Sequence, residues 1–123
     1  MNNRTLMIDD MRIPTFPEHF TLVTNTDDAL RILKSDRNWG YIYLDHDLGE
    51  DAEGNTLDIW PVIKWLEKNR VEMRAEATMV LVSSNPAGVD RMKAALENAG
   101  FFTVTVREQD KKMLFHFRDW VND

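Results

Sequence analysis

Five short apolar segments, rich in Val, Ile, Tyr and Phe, recur along the chain and alternate with stretches of helical spacing. They span residues 5–9, 20–24, 41–45, 79–83 and 103–107, and each has the length of a β-strand. Strands that alternate with helices pair side by side through right-handed crossovers. The rhythm therefore predicts an α/β fold with a doubly wound, five-stranded parallel sheet between two outer layers.

Four stretches between or after these strands carry apolar residues at helical spacing. Thr26 is the expected N-cap of the first, and Asp58 is the expected cap of the second, with Pro61 in its first turn. Gly100 is expected to stop the third. The predicted helices span residues 27–35, 58–69, 87–99 and 111–120. Their inward-facing residues are Ala29, Leu30, Ile32, Leu33, Ile59, Val62, Ile63, Leu66, Val89, Met92, Ala95, Leu96, Ala99, Met113, Phe117, Trp120 and Val121.

Two connections lack helical spacing. Residues 10–19 contain Pro14 and Pro17, so we expect an extended crossover loop there in place of a first helix. Residues 49–57 form the one long polar loop, which is expected to be solvated or, alternatively, to move over a neighbouring site. The tryptophans expected to pack in the core rather than to stack on bases are Trp39, Trp60, Trp65 and Trp120.

Length, charge and composition limit the class of protein. The 123 residues are 43% hydrophobic, which is enough for one core, so we expect a single domain over residues 1–123. A net charge of -6 argues against extended DNA binding and an anionic membrane partner, because clustered Lys and Arg hold phosphate backbones. The absence of cysteine excludes disulfides, zinc–thiolate sites and thiol nucleophiles. Without a leader-like or membrane-spanning segment, we expect a cytoplasmic protein.

Two of the predicted strands end in carboxylates. The first leads into Asp9 and Asp10, and the third leads into Asp45 and Asp47. In an open parallel sheet, ligands collect at the carboxyl ends of the strands, so these four acids would surround one crevice. Crowded carboxylates repel one another, and Mg²⁺ prefers oxygen ligands. The pattern indicates a hard-metal site that handles phosphate.

Other readings of these residues stay open. In the alternative interpretation of the Asp9 and Asp10 pair, one acid points to solvent and the other caps a turn. Asp47 lies two residues beyond Asp45 and would face the same side, whereas His46 points the other way. His46 is a candidate general acid or base, with a structural, hydrogen-bonded histidine as the alternative.

Further polar groups are placed to bind the phosphate. Ser83, Ser84 and Asn85 end the fourth strand just before a helix, where hydroxyls and backbone N–H groups favour an anion. A plain N-cap, with the helix starting at Pro86, is the alternative. Arg107 ends the fifth strand and suits a phosphate, or a salt bridge to one of the acids. Arg12 follows the first acidic pair closely enough to reach the same mouth.

These residues together resemble the receiver domain of two-component response regulators, over nearly the whole chain. The resemblance implies the strand order 2-1-3-4-5 and Mg²⁺ held by Asp9 and Asp10. It also implies Asp45 as the phosphoacceptor and Ser83 as the Ser/Thr switch residue. Arg107 stands where receivers carry Lys.

A closer resemblance is to the cyclic-phosphate processing receiver-like domains. The matching stretches are residues 8–14, the Asp-His-Asp-Leu-Gly run at 45–49, and residues 84–88 with Met92. Ser83 stands where that branch often carries His. The resemblance implies action on cyclic phosphate ends in RNA repair, although a fold alone does not fix a function.

The leading hypothesis is a Mg²⁺-dependent, receiver-like protein that binds or hydrolyses a phosphate ester, such as a cyclic phosphate at an RNA end. Asp9, Asp10 and Asp45 would hold the metal, or Asp45 would act as the nucleophile. His46 or Asp47 would move protons or position water. Arg12, Arg107 and the turn at residues 83–85 would stabilise phosphoryl charge.

Two alternatives belong to other classes. One is a phosphoacceptor regulator without turnover, in which acetyl phosphate modifies Asp45. The other is a non-enzymatic, phage-type or regulatory module whose acidic surface occupies a basic site on a protein partner. The replaced Lys at Arg107 and the replaced His at Ser83 favour the second alternative.

Overall fold

The computed structural model of the protein describes residues 4–117. The strands are β1 (Thr5–Ile8), β2 (Arg12–Pro14), β3 (Thr21–Val23), β4 (Tyr41–Leu44), β5 (Asp47–Glu50), β6 (Thr56–Asp58), β7 (Thr78–Leu81), β8 (Phe102–Thr105) and β9 (Phe115–Phe117). The helices are α1 (Thr26–Ser35), α2 (Trp60–Lys68), α3 (Pro86–Asn98) and α4 (Glu108–Leu114), and short 3-10 turns span Pro17–His19 and Arg70–Glu72. No helix in this range is long and apolar enough to cross a membrane.

Five strands form one parallel sheet in the order β3-β1-β4-β7-β8. Counted along the chain, this is the order 2-1-3-4-5, so the α/β class and the strand order are confirmed. The chain moves one way from β1 to β3 and the opposite way for every later crossover. Because such crossovers are right-handed, the first connection and the later helices lie on opposite faces of the sheet.

One face of the sheet is covered by three helices, and we call it the covered face. It carries the side chains of Leu6, Ile8, Ile42, Leu44, Met79 and Leu81, which are fully buried. Residues of α1, α2 and α3 join them in one core, including Leu33, Ile63 and Leu96. Trp39 is buried in this core, and Trp60 and Trp65 pack against it, as expected for core tryptophans. Trp120 lies outside the described residues.

The described residues cover the other face only in part, and we call it the open face. The register places Met7, Tyr43, Val80 and Val104 on this side, together with Tyr41 and Phe102. A smaller cluster covers the centre of the face, where Phe115 packs on Met7 and Val80. Phe102 remains 66% exposed and Val104 53% exposed. The second core is therefore smaller than the first.

Residues 10–19 follow the prediction of an extended crossover without a full helix. Within them, β2 pairs with β9 as a two-stranded antiparallel ladder, Arg12 opposite Phe117 and Pro14 opposite Phe115. We call this ladder the arm. Thr15 extends it, because its N–H donates to the Leu114 carbonyl at 2.8 Å and its hydroxyl donates to the Met113 carbonyl at 2.7 Å.

The structure corrects the prediction of a fourth helix over residues 111–120. α4 begins earlier, at Glu108, and ends at Leu114, after which the chain turns into β9. Within β9, Phe115 is buried while His116 and Phe117 are exposed, and backbone pairing with β2 stabilises the strand. The remaining predicted helical residues, with Trp120 and Val121, lie outside the described part of the chain.

Smaller corrections concern the ends of elements. Residues 49–57 are not one loop, because β5 and β6 pair as an antiparallel hairpin through Asp47 and Asp58. Asn25, not Thr26, caps α1, since its side chain accepts the Asp28 N–H. Asp58 does accept the Trp60 N–H at the start of α2, although the capping position itself is Ile59.

Candidate functional site

Three carboxylates meet where β1 and β4 end. The two strands are neighbours in register, Ile8 beside Leu44, so the residues that follow them lie at one edge of the sheet. Oxygen atoms of Asp9, Asp10 and Asp45 lie within 4.8 Å of one another. Asp9 and Asp45 are buried and Asp10 is partly buried. The structure thus brings together the three acids that the sequence predicted as metal ligands.

Asp9 is the most constrained of the three acids. One of its oxygens accepts the backbone N–H groups of Met11 and Arg12, both at 2.9 Å. The other accepts from the Arg12 guanidinium at 3.1 Å. One acid of the pair therefore caps a turn, as the alternative reading proposed, and this same turn carries Arg12 into the crevice.

Arg12 is a buried cation among the acids. Its Nη1 lies 3.1 Å from Asp9 and 3.5 Å from Asp45, and its Nη2 donates to the Ser84 hydroxyl at 2.7 Å. The guanidinium thus joins the ends of β1, β4 and β7. A fixed fork of donors in this position suits a phosphate oxygen as well as a carboxylate.

Asp45 lies at the centre of this crowded charge. Burial is the main cause that raises the pKa of its carboxyl to about 7, and the Asp9 carboxylate also raises it. Arg12 and a hydrogen bond from Ser83 act in the opposite direction, but they do not cancel the effect. A cluster of oxygen donors with excess negative charge fits a hard divalent cation such as Mg²⁺.

Gly49 allows the chain to pass close to these acids. Its φ is +81°, and a Cβ atom added to it would lie 3.1 Å from an oxygen of Asp10. A side chain would both strain the backbone and crowd the carboxylate. This accounts physically for the glycine that ends the Asp-His-Asp-Leu-Gly run.

The turn after β7 faces the acids. Asn85 caps α3, because its side chain accepts the Gly88 N–H at 3.0 Å, so the N-cap reading is confirmed for this residue. The Ser83 hydroxyl accepts the Asn85 N–H at 3.1 Å, which tightens the turn. Ser84 instead presents its hydroxyl to Arg12. All three residues still line the crevice.

His46 does not line the crevice. Its ring is buried against α3, where a Cβ atom added to Gly88 would lie 2.5 Å from the His46 Cγ. Its Nε2 lies 3.3 Å from the Arg91 guanidinium, which can only donate, so Nδ1 carries the proton and donates to Asp47 at 2.9 Å. The contacts give His46 the structural, hydrogen-bonded setting that the sequence left as an alternative.

Asp47 is held at the mouth of the crevice. One of its oxygens accepts from His46, and the other lies 3.4 Å from the Asn85 amide nitrogen. Its side chain remains half exposed. Asp47 is therefore the member of the Asp45–Asp47 run that faces both solvent and the crevice.

The structure does not bring Arg107 into the crevice. Its side chain is exposed and pairs with Asp110 at 2.9 Å, so the expected salt bridge to one of the strand-end acids is not formed. Lys111, rather than Arg107, lies next to the turn that follows β7. Its side chain is only 10% exposed, and its Nζ donates to the Ser83 carbonyl at 2.9 Å and to Glu108.

Sequence reasoning missed Lys111 because its position depends on the early start of α4. A helix beginning at Glu108 directs Lys111 back toward the end of β7, whereas the predicted helix began only at residue 111. The spacing of Glu108 and Lys111, which suits an ion pair on a helix, was the one available signal.

The crevice that these groups enclose has a volume of about 450 Å³, and we call it the acidic cleft. Its described lining residues are Asp10, Met11, Arg12, Asp45, Asp47, Gly49, Ser83, Ser84, Asn85 and Phe117. Asp9 lies behind this surface.

Comparison with known proteins gives one family. The family described as cyclic-phosphate processing receiver domain matches residues 4–98, which include every strand-end acid and the turn at residues 83–85. No curated protein and no solved structure matches the chain. β8, α4 and β9 lie beyond the matched residues.

Proposed function

Because the chain belongs to the family of cyclic-phosphate processing receiver domains, we propose that it is a Mg²⁺-dependent protein that binds and processes a phosphate ester. A 2′,3′-cyclic phosphate at an RNA end is the leading substrate. The observation that carries the proposal is the meeting of Asp9, Asp10 and Asp45 with Arg12 and Ser84 in one cleft. Acids and anion-binding groups together suit a metal-bound phosphate.

The metal would be held by Asp10 and Asp45, with Asp9 completing the set. When bound, Mg²⁺ supplies positive charge that offsets both the carboxylates and the phosphate. Asp9 already accepts three hydrogen bonds, so its main contribution is to orient Arg12. Burial around Asp45 strengthens its interactions with any cation in the cleft.

The phosphate would lie against Arg12 and the start of α3. The Arg12 guanidinium is buried and fixed by Asp9, so its donors are oriented before the ligand binds. The Ser84 hydroxyl accepts from Arg12 and has its own proton to donate to a phosphate oxygen. The N-terminus of α3, a helix of 13 residues, adds a favourable dipole.

Asp47 would position the attacking water. It is the half-exposed carboxylate at the mouth of the cleft, and His46 holds it from behind through Nδ1. His46 is then a positioning residue, because it acts through Asp47 and does not line the cleft. Asp45→Asn should remove metal binding, whereas His46→Gln should weaken turnover more than binding.

A second candidate function is a phosphoacceptor regulator. The buried position of Asp45 between Arg12 and Ser83 favours it, since an acyl phosphate formed on this carboxyl would be flanked by donors. Lys111 lies next to Ser83 and would supply a further cation. In this case the product stays on Asp45 and no external ester is turned over.

The decisive experiment offers the protein, with Mg²⁺, a nucleoside 2′,3′-cyclic phosphate, a linear phosphomonoester and acetyl phosphate. We expect ring opening of the cyclic phosphate that is lost in Asp45→Asn and unchanged in Glu67→Gln, an exposed control on α2. Phosphorylation of Asp45 by acetyl phosphate without ester turnover would favour the second candidate. No response to any phosphate compound would contradict both candidate functions. The non-enzymatic interaction module would then be the remaining hypothesis.

A titration with Mg²⁺ tests the metal site separately. The backbone amide resonances of Asp10 and Asp45 should shift, while those of Glu67 should not. If the strand-end resonances stay unmoved, the metal-dependent proposal is wrong.

A further inference from the structure

A second cavity of about 450 Å³ lies beside the acidic cleft, and we call it the aromatic cavity. Its described walls come from the arm and from α4, and they include Phe115, Phe117, Lys111 and Lys112. Most of the lining is apolar, and the volume is in the range of sites that hold small organic ligands. None of the strand-end acids contributes to it.

The two cavities share part of their walls. Arg12, Ser84 and Phe117 line both of them. The Arg12 guanidinium carbon lies 5.8 Å from the centre of the Phe117 ring, so a cation and an aromatic face meet where the two cavities adjoin. A ligand with a phosphate beside Arg12 can therefore extend its remaining part toward the phenylalanines.

The chemistry of the aromatic cavity favours a flat ring attached to an anion. Phe117 is 47% exposed, so its ring is available to a ligand. Three cations, Arg12, Lys111 and Lys112, line the cavity, of which Arg12 is paired with Asp9 and Asp45 and Lys111 with Glu108. An uncharged acyl chain would use the apolar walls but not these cations.

We propose that the aromatic cavity binds the nucleobase of a nucleotide whose phosphate lies in the acidic cleft. The inference rests on the proposed function, and it selects nucleotides from among phosphate esters. Stacking on an aromatic side chain accepts any base, so the cavity provides selectivity for a base over none rather than for one base over another. The wall residues of α4 and β9, including both phenylalanines, lie beyond the residues that the family matches.

The test compares a nucleoside 2′,3′-cyclic phosphate with the cyclic phosphate of glycerol, which has no base, by calorimetry with Mg²⁺. We expect the nucleotide to bind at least about tenfold more tightly, from the usual strength of base stacking. Phe117→Ala should reduce this ratio about tenfold. Phe102→Ala, which removes an exposed phenylalanine of β8 outside both cavities, should leave the ratio unchanged.

A measurement on the unaltered protein removes any dependence on the folding of the variant. Nuclear Overhauser effects should join the base protons to the ring protons of Phe115 or Phe117. Equal affinities for the two ligands would overturn the inference, and so would the absence of Overhauser effects between the base and these phenylalanine rings. Either result would leave the proposed function standing. Failure of both ligands to bind would overturn the proposed function as well.

Discussion

The two faces of the sheet are built differently, although the same five strands form both. On the covered face, α1, α2 and α3 bury every inward side chain of the central strands. On the open face, the crossover after β1 contains no full helix, and among the described residues the smaller cluster around Phe115 of the arm covers only the centre. The three helical crossovers between sheet strands are therefore all on one side.

This difference separates stability from ligand selection. The covered face supplies the large core, whereas the open face supplies the arm that carries Arg12 and Phe117 to the edge of the acidic cleft. A helix in place of residues 10–19 would remove the arm and with it the shared wall of the two cavities. We infer that the missing helix makes room for the ligand side of the site.

The largest effect on the free energy of unfolding should come from truncating a β-branched apolar side chain, and the loss should differ between the two faces. Ile42→Ala removes a fully buried side chain of the covered face and should lower the free energy of unfolding by about 3 kcal/mol. Val104→Ala, on the open face, should cost less than about 1 kcal/mol because the residue is already half exposed. Urea unfolding measures both. Equal losses would show that the open face is covered as well as its counterpart.

The next effect concerns the packing of the His46 ring against α3, a helix of the covered face. Gly88→Ala places a methyl group 2.5 Å from the His46 Cγ and should cost about 2 kcal/mol through overpacking. In the double variant Gly88→Ala with His46→Ala, the clash is absent, so the combined loss should be smaller than the sum of the single losses. Additive losses in a thermal or urea unfolding series would refute the close contact.

A smaller effect is expected in the arm of the open face. Thr15→Ala removes the hydroxyl that donates to the Met113 carbonyl and should cost about 1 kcal/mol. Thr15→Ser retains the hydroxyl and is the matched control. Amide exchange of β2 and β9 should accelerate in the alanine variant, while that of β4 and β7 should not. Uniform acceleration in all four strands would mean that the arm and the main sheet unfold as one unit.

The sequence predicted the covered face well because its signals are local. The spacing of residues such as Val62, Ile63 and Leu66 repeats over whole helices, and the strand segments are short and apolar. The acidic cluster was also predictable, since the ends of β1 and β4 must meet at one edge of a parallel sheet. The meeting of Asp9, Asp10 and Asp45 at this edge could therefore be predicted from the sequence alone.

The remaining features depend on contacts between distant parts of the chain. Met113 and Phe117 lie four residues apart and so fit one helical face, and only pairing with β2 selects a strand for residues 115–117. The position of His46 depends on the absence of a side chain at Gly88, more than forty residues later. None of these contacts has a local signal.

The smallest effect should come from an exposed ion pair that joins the covered layer to the sheet. Asp36 follows α1 and pairs with Arg4, which precedes β1, and the hydrogen bond from Arg4 holds the pKa of Asp36 below its usual range. A carboxyl with a lowered folded-state pKa stabilises the protein above its unfolded-state pKa near 4, and this contribution is lost as the pH falls. Because both side chains are more than one-third exposed, solvent screening limits it to a few tenths of a kcal/mol, by the usual strength of surface pairs. Asp36→Asn should therefore slightly flatten the acid limb of a stability–pH curve, relative to Glu67→Gln. A steeper limb in Asp36→Asn would reverse the sign of the pKa shift and contradict the pairing.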